Sequence, residues 1–347
     1  MKEYKILYHP NTLTKIKQYR ASIISGEQIL GSHLKKVSSI TDIAKLTDNQ
    51  FLTLLLNTKK HQIFAESSVI GDGSDWNQKE LSLLGDISVA VPVTVFDDAR
   101  HRNPHIHEEP FRATLLYVPG ALLRASFGSI PCDLEAVTKH GEINHRGFYK
   151  LYEQRLLPLF QYIDLCAAKR QKKAVITIPG LGCGQFSGKY YGKLGKHLQQ
   201  VLIDILHNYS DQFSMISLVF YDPYNECELY EEQIGSVRFR VRPLMKSLKQ
   251  VPQLSQVTEF DEEDDDFSNC DLYSFVAWDH VSWPGNDFYG GSRATDDGVK
   301  AAATDSMHKM TGIEGRYNSE VNTYQPPGIY ANWESVVIKN KISLQVE

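Results

Sequence analysis

The chain of 347 residues is long enough for one large domain or two, with a sizeable buried core. Hydrophobic residues make up 42% and charged residues 23%, a balance that excludes disorder over most of the length. The longest apolar stretches, 87–96 and 115–123, fall well short of the ~20 residues of a membrane-spanning helix, so we expect no membrane contact. Eight of the 42 carboxylates lie in residues 259–271, so the net charge of −5 leaves the remainder near neutral, and nucleic acid is not an expected partner.

The sequence carries little evidence of secretion or of a metal site. The first residues, MKEYKILYHP, lack the apolar segment of a classical signal peptide, so we expect a cytosolic protein. The five cysteines show no C-x-x-C spacing, which favours a reducing compartment and argues against a zinc ribbon. Three histidines lie in HRNPHIHEE (101–109), but Pro104 makes the segment irregular, and a solvated loop is predicted. We therefore predict no metal and no other cofactor.

The first half of the chain predicts helices followed by two strands. Apolar residues recur at helical spacing through 38–56, so the first 60 residues are predicted to be mostly helical. ISVAVPVTVF (87–96) is a β-branched run in which Pro92 indicates an edge strand or a bend. TLLYVPGALL (114–123) is predicted to be a strand that Pro-Gly closes.

The second half alternates between strands and helices. The predicted strands are AVITIP (174–179), SMISLVFYDP (214–223), SVRFRV (236–241) and SFVAWD (274–279), and helices are predicted at 147–170, 194–206 and 296–310. We expect Pro158 to kink or split the first of these helices. This order of elements predicts an α/β fold with a largely parallel central sheet, in which ligands bind at the carboxyl ends of the strands. The acidic run 261–266 is predicted to be a solvated loop between two strands.

The segment IPGLGCGQFSGKYYG (178–192), called the glycine loop below, follows one of these strands. Glycines at alternate positions allow backbone N–H groups to face a phosphate, and the N-terminus of the following helix adds a positive dipole. The spacing matches neither a Walker A motif nor the dinucleotide-binding fingerprint. A phosphate or diphosphate cradle is the favoured interpretation, and a tight strand-to-helix turn without ligand is the alternative. Cys183 is interpreted as a small residue and not as a nucleophile.

Residues 277–298, called the site loop below, combine carboxylates with aromatic side chains. The carboxylates are Asp279, Asp287, Asp296 and Asp297. The aromatic candidates for stacking on an adenine are Trp278, Trp283, Phe288 and Tyr289. Carboxylates in such surroundings tend to have perturbed pKa values and to mark functional sites, whereas the alternative is a surface loop in which Asp296 caps the next helix. Phosphate-binding glycines, stacking aromatics and carboxylates together fit a nucleotide-sugar ligand such as ADP-ribose.

Two stretches, VITIPGLGCGQFSG and VAWDHVSWPGNDFYGGSRATDDGVKAAATDSM, resemble a divergent group of the macrodomain ADP-ribosylhydrolase family that includes a Legionella effector. The resemblance covers about residues 174–310. It implies a macrodomain-like α/β catalytic core over 81–347, with a central mixed, largely parallel sheet flanked by helices. Residues 1–80 are then a mainly helical N-terminal extension packed on that core. The resemblance also implies a secreted effector that is delivered to the host cytosol.

The same resemblance implies that the protein binds ADP-ribose and hydrolyses the N-glycosyl bond joining it to a modified protein. The implied partner is arginine-ADP-ribosylated ubiquitin or another ADP-ribosylated protein. The alternative function is a reader module that binds ADP-ribose without hydrolysis. Two further alternatives are an interaction protein that docks a basic partner through residues 261–266 and a metal-dependent nucleotide phosphohydrolase.

By position in the second stretch, the resemblance implies catalytic or ribose-binding roles for Asp279, Asp287 and Asp297. The other predicted contacts with ADP-ribose are Gly182, Cys183, Gly184, Gln185, Phe186, Asn286, Phe288, Gly290, Gly291 and Asp296. Residues 182–186 are expected to wrap the diphosphate and the distal ribose. The signatures of poly(ADP-ribose) glycohydrolases and of the commoner mono-ADP-ribosylhydrolases are absent, so the division of roles among the three aspartates stays open.

Overall fold

The computed structural model describes residues 2–39, 41–63, 75–124 and 130–346. Within these ranges one sheet contains β1 (Lys5–Tyr8), β2 (Ile87–Asp97), β3 (Ile106–Pro119), β6 (Lys173–Pro179), β7 (Ile216–Asp222), β8 (Tyr230–Ile234), β9 (Val237–Val241) and β10 (Cys270–Trp278). The strand order across this sheet is β1-β2-β3-β10-β6-β7-β9-β8. Two short hairpins lie outside it and pair β4 (Thr138–Lys139) with β5 (Glu142–Ile143), and β11 (Arg316–Asn318) with β12 (Thr323–Gln325).

The helices of the same ranges are α1 (Pro10–Ile24), α2 (Ser32–Ser38), α3 (Asp48–Leu56), α4 (Gln78–Gly85), α5 (Leu134–Val137), α6 (His145–Arg170), α7 (Leu194–Tyr209), α8 (Asp296–Ala302), α9 (Ser306–Thr311) and α10 (Trp333–Lys339). In the described part of the chain, no helix has the length and apolar character needed to cross a membrane. The inner strands β3, β10, β6, β7 and β9 run parallel, whereas β1, β2 and β8 pair antiparallel with their neighbours. This arrangement confirms the predicted mixed, largely parallel sheet flanked by helices.

Apolar side chains cover both faces of the sheet, because successive residues of a strand point to opposite faces. In β3, Leu115 and Tyr117 pack into one hydrophobic cluster, while Leu116 and Val118 pack into another. The first cluster includes side chains of α1, α3, α4, α9 and α10, and the second includes those of α6 and α7. The apolar runs of the sequence therefore belong to strands that are buried on both faces.

The N-terminal region differs from the prediction in two respects. The periodic stretch 38–56 is not one helix, because α3 begins anew at Asp48, where Thr47 and Gln50 form a capping box. Residues Lys5–Tyr8 form β1 and pair with β2, although the sequence predicted helix in this region. Residues 1–80 thus contribute a strand to the central sheet, and the domain boundary at residue 80 stays a prediction.

Two predicted helices also differ in detail. Pro158 lies inside α6, which continues through it and is not split. The helix predicted over 296–310 is two helices, α8 and α9, because the chain between them turns to bond with β2. There Asp305 N–H donates to Thr94 O at 3.2 Å. A further helix, α10, follows the point at which the last helix was predicted.

The strand β2 agrees with the prediction made from Pro92, whereas β3 begins within the segment that was predicted to be a loop. Pairing of β2 with β1 ends at Ala90, so Pro92 lies where β2 has become an edge, as predicted. The loop predicted over 101–109 is shorter than expected, since β3 begins at Ile106. His107 is buried, and its Nε2 lies 2.9 Å from Leu254 O.

The acidic run 261–266 is not free in solvent, because three arginines of β9 and the residue after it bind it. These are Arg238, Arg240 and Arg242, which the strand repeat places on one face. Asp265 accepts hydrogen bonds from the first two, and Glu262 accepts two bonds of 2.7 Å from the third. Glu262 and Asp265 of the run are therefore paired within the chain, whereas Glu263, Asp264 and Asp266 are exposed.

Candidate functional site

The site loop leaves the carboxyl end of β10, the strand between β3 and β6. β10 and β6 pair only as far as Ser274 and Thr177, although both strands continue beyond this point. On the stretch of β10 that no longer pairs with β6, Ala277 N–H donates to Asp296 Oδ2 at 2.8 Å. The site loop therefore lies at the carboxyl ends of parallel strands, which is where open α/β sheets bind ligands.

Asp287 is a half-buried acceptor at the middle of the site loop. Its Oδ2 accepts from the N–H groups of Ala294 at 2.7 Å and Thr295 at 3.0 Å, and its Oδ1 accepts from the Thr295 hydroxyl at 2.8 Å. A Cβ added at Gly298 would overlap Asp287 Oδ1, so a larger residue at position 298 would displace this carboxylate. Asp287 is also the most exposed of the three aspartates predicted to be catalytic.

Asp297 lies beside Asp287 and is only 4% exposed. Its Oδ2 accepts from Asn286 N–H at 3.1 Å, and its Oδ1 lies 2.5 Å from Thr295 Oγ1. Burial raises the pKa of Asp297 well above its ordinary value, and the negative charge of Asp287 raises it further. The two carboxylates thus meet at one threonine hydroxyl.

Asp296 does not cap α8, contrary to the alternative considered above. The N-cap is Thr295, whose hydroxyl accepts from Gly298 N–H at 3.2 Å. Asp296 Oδ2 accepts from Ala277 N–H and, at 3.1 Å, from Lys300 Nζ. Burial lowers the pKa of Lys300, which is 2% exposed. Asp296 therefore connects α8 to the end of β10 that does not pair with β6. Its contact with ADP-ribose stays a prediction.

Asp279 closes the first turn of the site loop. Its Oδ1 accepts from the N–H groups of Val281 and Ser282, each at 2.7 Å. Its Oδ2 accepts from the Ser282 hydroxyl at 2.5 Å. With 5% exposure, this carboxylate holds the turn that begins directly after β10.

Residues 58–63, which belong to the predicted N-terminal extension, lie against the site loop. Lys60 and Ser282 form a parallel β-bridge. Ile63 N–H donates to Asn286 Oδ1 at 2.8 Å. The N-terminal part of the chain therefore supports the loop that bears the aspartates, and no motif in these residues predicted that role.

Lys59 places a buried amine beside the first turn of the site loop. Its Nζ donates to His280 O at 2.5 Å and lies 4.0 Å from the centre of the Trp278 ring. Burial lowers the pKa of Lys59 to about 7, and the charge of Asp279 opposes this shift. Lys59 thus changes charge near neutral pH, next to a predicted catalytic carboxylate.

The glycine loop packs on the chain that follows β3. Gly182 has a φ of +74°, and a Cβ there would lie 2.8 Å from Ala121 N, so both conformation and space require glycine. Cys183 is 6% exposed and burial raises its pKa, which agrees with a small packing residue. The N-terminus of α7 was expected to add a positive dipole to a phosphate site. It binds a carboxylate of the chain itself instead, because Glu226 accepts from Gly195 N–H at 2.7 Å.

The aromatic side chains of the site loop do not offer a stacking surface. The four candidates, Trp278, Trp283, Phe288 and Tyr289, are at most 4% exposed. An exposed ring lies instead in the glycine loop itself, where Tyr191 is 73% exposed. It lines a groove of about 450 Å³ together with Arg124, Gly184, Gln185, Ser187 and Gly188. Arg124 Nη1 donates to Gln185 Oε1 at 2.9 Å across this groove.

Another buried carboxylate, that of Asp133, follows β3 in the chain. Arg155 Nη2 donates to its two oxygens at 2.9 and 3.0 Å, and His280 Nε2 lies 3.3 Å from Oδ2. Burial by itself would raise the pKa of Asp133, but Arg155 and His280 together hold it below its ordinary value. Cys132, Asp133 and His280 come close enough to share a metal ion, yet the carboxylate already bears the Arg155 ion pair.

Comparison with known families decides what this arrangement belongs to. The model of the family described as macrodomain effector MavL matches residues 4–330. The chain belongs to this family. The match confirms the predicted macrodomain resemblance, and membership of a macrodomain family implies ADP-ribose binding. A search of curated proteins finds no match.

The macrodomain brings together part of the predicted residue set. Asp287 and Asp297 meet at Thr295, and the glycine loop meets the site loop where the ring centres of Phe186 and His280 are 6.0 Å apart. Gly290 and Gly291 are exposed, whereas Phe288 is buried in the core. The contacts of all these residues with ADP-ribose stay predictions.

Sequence reasoning missed three features of this site. Thr295 offered a usable signal, since a hydroxyl residue before the first acidic turn of a helix is typical of an N-cap. Lys59 offered none, because it lies in no recognisable motif, and Tyr191 lies in the glycine loop but nothing in the sequence indicated that its ring is exposed. Their places depend on packing between segments that are distant in the sequence.

Proposed function

We propose that this macrodomain is an ADP-ribosylhydrolase that releases ADP-ribose from a modified arginine, with ADP-ribosylated ubiquitin as the protein substrate. The observation that carries the proposal is the pair Asp287 and Asp297, which meet at one threonine hydroxyl of the site loop. A reader module needs polar contacts but no second carboxylate against the first. A buried carboxyl group whose pKa burial raises, as in Asp297, next to a more exposed carboxylate is suited to supplying an acid and a base. Family membership supports an effector that acts in the host cytosol.

In the proposed reaction, the backbone of residues 182–186 and the Gly290–Gly291 turn hold the diphosphate and distal ribose. The bond between C1″ of the ribose and the guanidine nitrogen breaks, and its electron pair stays on nitrogen. A water oxygen then adds to C1″. Asp287, the most exposed of the three aspartates, activates this water. The negative charge of Asp279 stabilises the oxocarbenium-like transition state.

We further propose that adenine stacks on Tyr191 in the groove that the glycine loop lines, since the aromatic rings of the site loop are buried. Tyr191→Ala should then weaken ADP-ribose binding by about 1–3 kcal/mol, the range for stacking of a base on an aromatic ring. Calorimetry measures the change. Tyr230→Ala is the matched control, because Tyr230 is exposed on β8, away from the groove. Equal affinity of both variants would show that adenine binds elsewhere.

The test of the function uses arginine-ADP-ribosylated ubiquitin, with a metal chelator present and release of ADP-ribose followed by mass spectrometry. We expect release by the native protein and a loss of about 100-fold or more in Asp287→Asn, which keeps the shape of the side chain. Calorimetry with ADP-ribose should show that the variant still binds. Binding without release by the native protein would make it a reader or a hydrolase of another linkage. Activity that the chelator abolishes would favour a metal-dependent enzyme.

A further inference from the structure

Thr295 has more hydrogen-bond neighbours than its hydroxyl has protons. Its Oγ1 lies 2.8 Å from Asp287 Oδ1 and 2.5 Å from Asp297 Oδ1, and it accepts from Gly298 N–H at 3.2 Å. A hydroxyl carries one hydrogen and accepts at its lone pairs. It can therefore donate to only one of the two carboxyl groups. The other short distance requires a proton on the carboxyl group itself.

The contacts of the two aspartates show which one bears that proton. Asp287 accepts from two backbone N–H groups at Oδ2, so that with the Thr295 hydroxyl three donors surround it, as suits an ionised carboxylate. Asp297 accepts from one N–H group, that of Asn286, and its side chain is almost fully buried. The neutral form is the cheaper one to bury. Asp297 is thus the protonated partner, which donates to Thr295.

We propose that Thr295 is a proton-relay residue, which connects a buried, neutral Asp297 to the ionised Asp287 in the active site. The existence of the shared proton follows from the geometry alone, whereas its use in catalysis rests on the proposed hydrolase function. Asp287 is the catalytic member of the pair, and Asp297 and Thr295 act through it. The pair then holds one proton and one negative charge at rest.

The relay accounts for both proton transfers of the proposed reaction. Asp297 gives its proton to Thr295 Oγ1 while the original hydroxyl proton moves to Asp287. Asp287 then protonates the guanidine nitrogen as the C1″–N bond breaks. The attacking water forms the C1″–O bond and returns one proton to Asp287. The reverse relay restores neutral Asp297, so atoms and charge balance over the cycle.

The titratable groups around Asp297 come from three parts of the fold. They are Asp279, Asp287, Asp296 and Tyr289 in the site loop, Lys300 in α8 and Tyr117 in β3. Burial and the acidic neighbours both raise the pKa of Asp297. Lys300 is the cation in this set, and it is bound to Asp296. Within the described part of the chain, Asp297 therefore has no ion pair of the kind that Arg155 forms with Asp133.

The first test does not depend on activity. Carboxyl-carbon NMR of aspartate-labelled protein, with Asp297→Asn to assign the signal, should show Asp297 protonated near neutral pH and Asp287 ionised. A signal of Asp297 that titrates in the ordinary range of about pH 4 would overturn the proposal. If Asp297 is protonated but the native protein releases no ADP-ribose, the shared proton stands and the hydrolase function fails.

The second test separates relay from helix capping through three substitutions of Thr295. Thr295→Ser keeps the hydroxyl and should retain kcat within about 3-fold. Thr295→Asn keeps the N-cap but has no hydroxyl to exchange protons, and kcat should fall by about 100-fold while ADP-ribose binding is kept. Thr295→Val should lose both the N-cap hydrogen bond and the hydroxyl that exchanges protons. Native kcat in Thr295→Asn, together with native binding, would reduce Thr295 to a structural cap.

Discussion

Two buried carboxylates, which follow the central strands β3 and β10 in the chain, have opposite electrostatic surroundings. Asp133 is 2% exposed and Asp297 is 4% exposed, so burial penalises the charge of each. Asp133 has the guanidinium of Arg155 and the imidazole of His280 as partners. Asp297 faces the carboxylate of Asp287 across a threonine hydroxyl. Their pKa values consequently move in opposite directions from the ordinary value.

The difference teaches that burial alone does not reveal whether an aspartate is structural or reactive. Arg155 also donates to the carbonyl oxygens of Pro119 and Gly120, so the Asp133 ion pair fixes the chain at the end of β3. Among the described residues, no cation forms an ion pair with Asp297, which agrees with the proposed protonation of its carboxyl group. A site that must exchange a proton needs the second arrangement, whereas a scaffold needs the first.

The largest expected effect comes from breaking the Asp133 ion pair. Arg155→Met should lower the free energy of unfolding by about 3–5 kcal/mol, because it leaves Asp133 buried without its cation. Urea denaturation measures the loss. Arg242→Met is the control, since its partner Glu262 is more exposed and the change should cost about 1 kcal/mol or less. Equal losses in the two variants would remove the distinction between the buried and the exposed pair.

A methyl group directed at Asp287 should damage activity more than stability. In Gly298→Ala the added Cβ overlaps Asp287 Oδ1, so we expect the carboxylate to shift and ADP-ribose release to fall by about 100-fold. Gly328→Ala is the control, because a Cβ at Gly328 meets no atom within 4 Å. Turnover and urea denaturation should be measured on both variants. Native turnover in Gly298→Ala would contradict the assignment of Asp287 to the active site.

The pH dependence of stability should differ in sign between the two aspartates. Because folding raises the pKa of Asp297, its contribution to stability is present below about pH 4 and is lost as pH rises above that value. Asp297→Asn stays neutral, so it should gain stability relative to the native protein as pH rises. Folding lowers the pKa of Asp133, so the deficit of Asp133→Asn should be largest at neutral pH and shrink below about pH 4.

Urea denaturation of the native protein and both variants from about pH 3 to pH 8 measures these slopes. As pH rises, the stability of Asp297→Asn relative to the native protein should increase, and that of Asp133→Asn should decrease. Parallel curves for the two variants would mean that Asp133 and Asp297 have the same charge state in the folded protein.

The smallest effect is expected for the acidic run. Glu262 is 39% exposed and accepts two hydrogen bonds of 2.7 Å from Arg242. Glu262→Gln should lower the free energy of unfolding by about 0.2–1 kcal/mol, and about 1 M salt should reduce this difference. Denaturation at low and high salt is the measurement. A loss as large as that of Arg155→Met would show that exposure does not decide the contribution of these ion pairs.

The sequence predicted the parts of the fold that local patterns specify. The strand at 174–179, for example, follows from an apolar run that ends at Gly180, and the structure has β6 there. β1 was missed because KILY is too short for a period and its pairing partner β2 lies far along the chain. The break between α8 and α9 depends on contacts with β2, which helical spacing cannot reveal.

In the candidate site, too, the sequence predicts the features that local composition marks and misses those that depend on the folded chain. The site loop is marked by its composition, so its aspartates could be named from the sequence. Which carboxyl group is protonated depends on burial and on Thr295, and these are properties of the folded chain. The support from residues 58–63 likewise depends on contacts with residues more than 200 positions away, as in the 2.8 Å bond between Ile63 and Asn286.

A crystal structure of the Asp287→Asn variant with ADP-ribose tests the central claim most directly, because it locates the ligand before hydrolysis is considered. We predict that the diphosphate lies on the backbone of residues 182–186 and that the distal ribose lies at about 3 Å, hydrogen-bond distance, from the side chain at position 287. We also predict that Thr295 remains between positions 287 and 297. A distal ribose bound away from the site loop would contradict the account, whatever the activity of the protein.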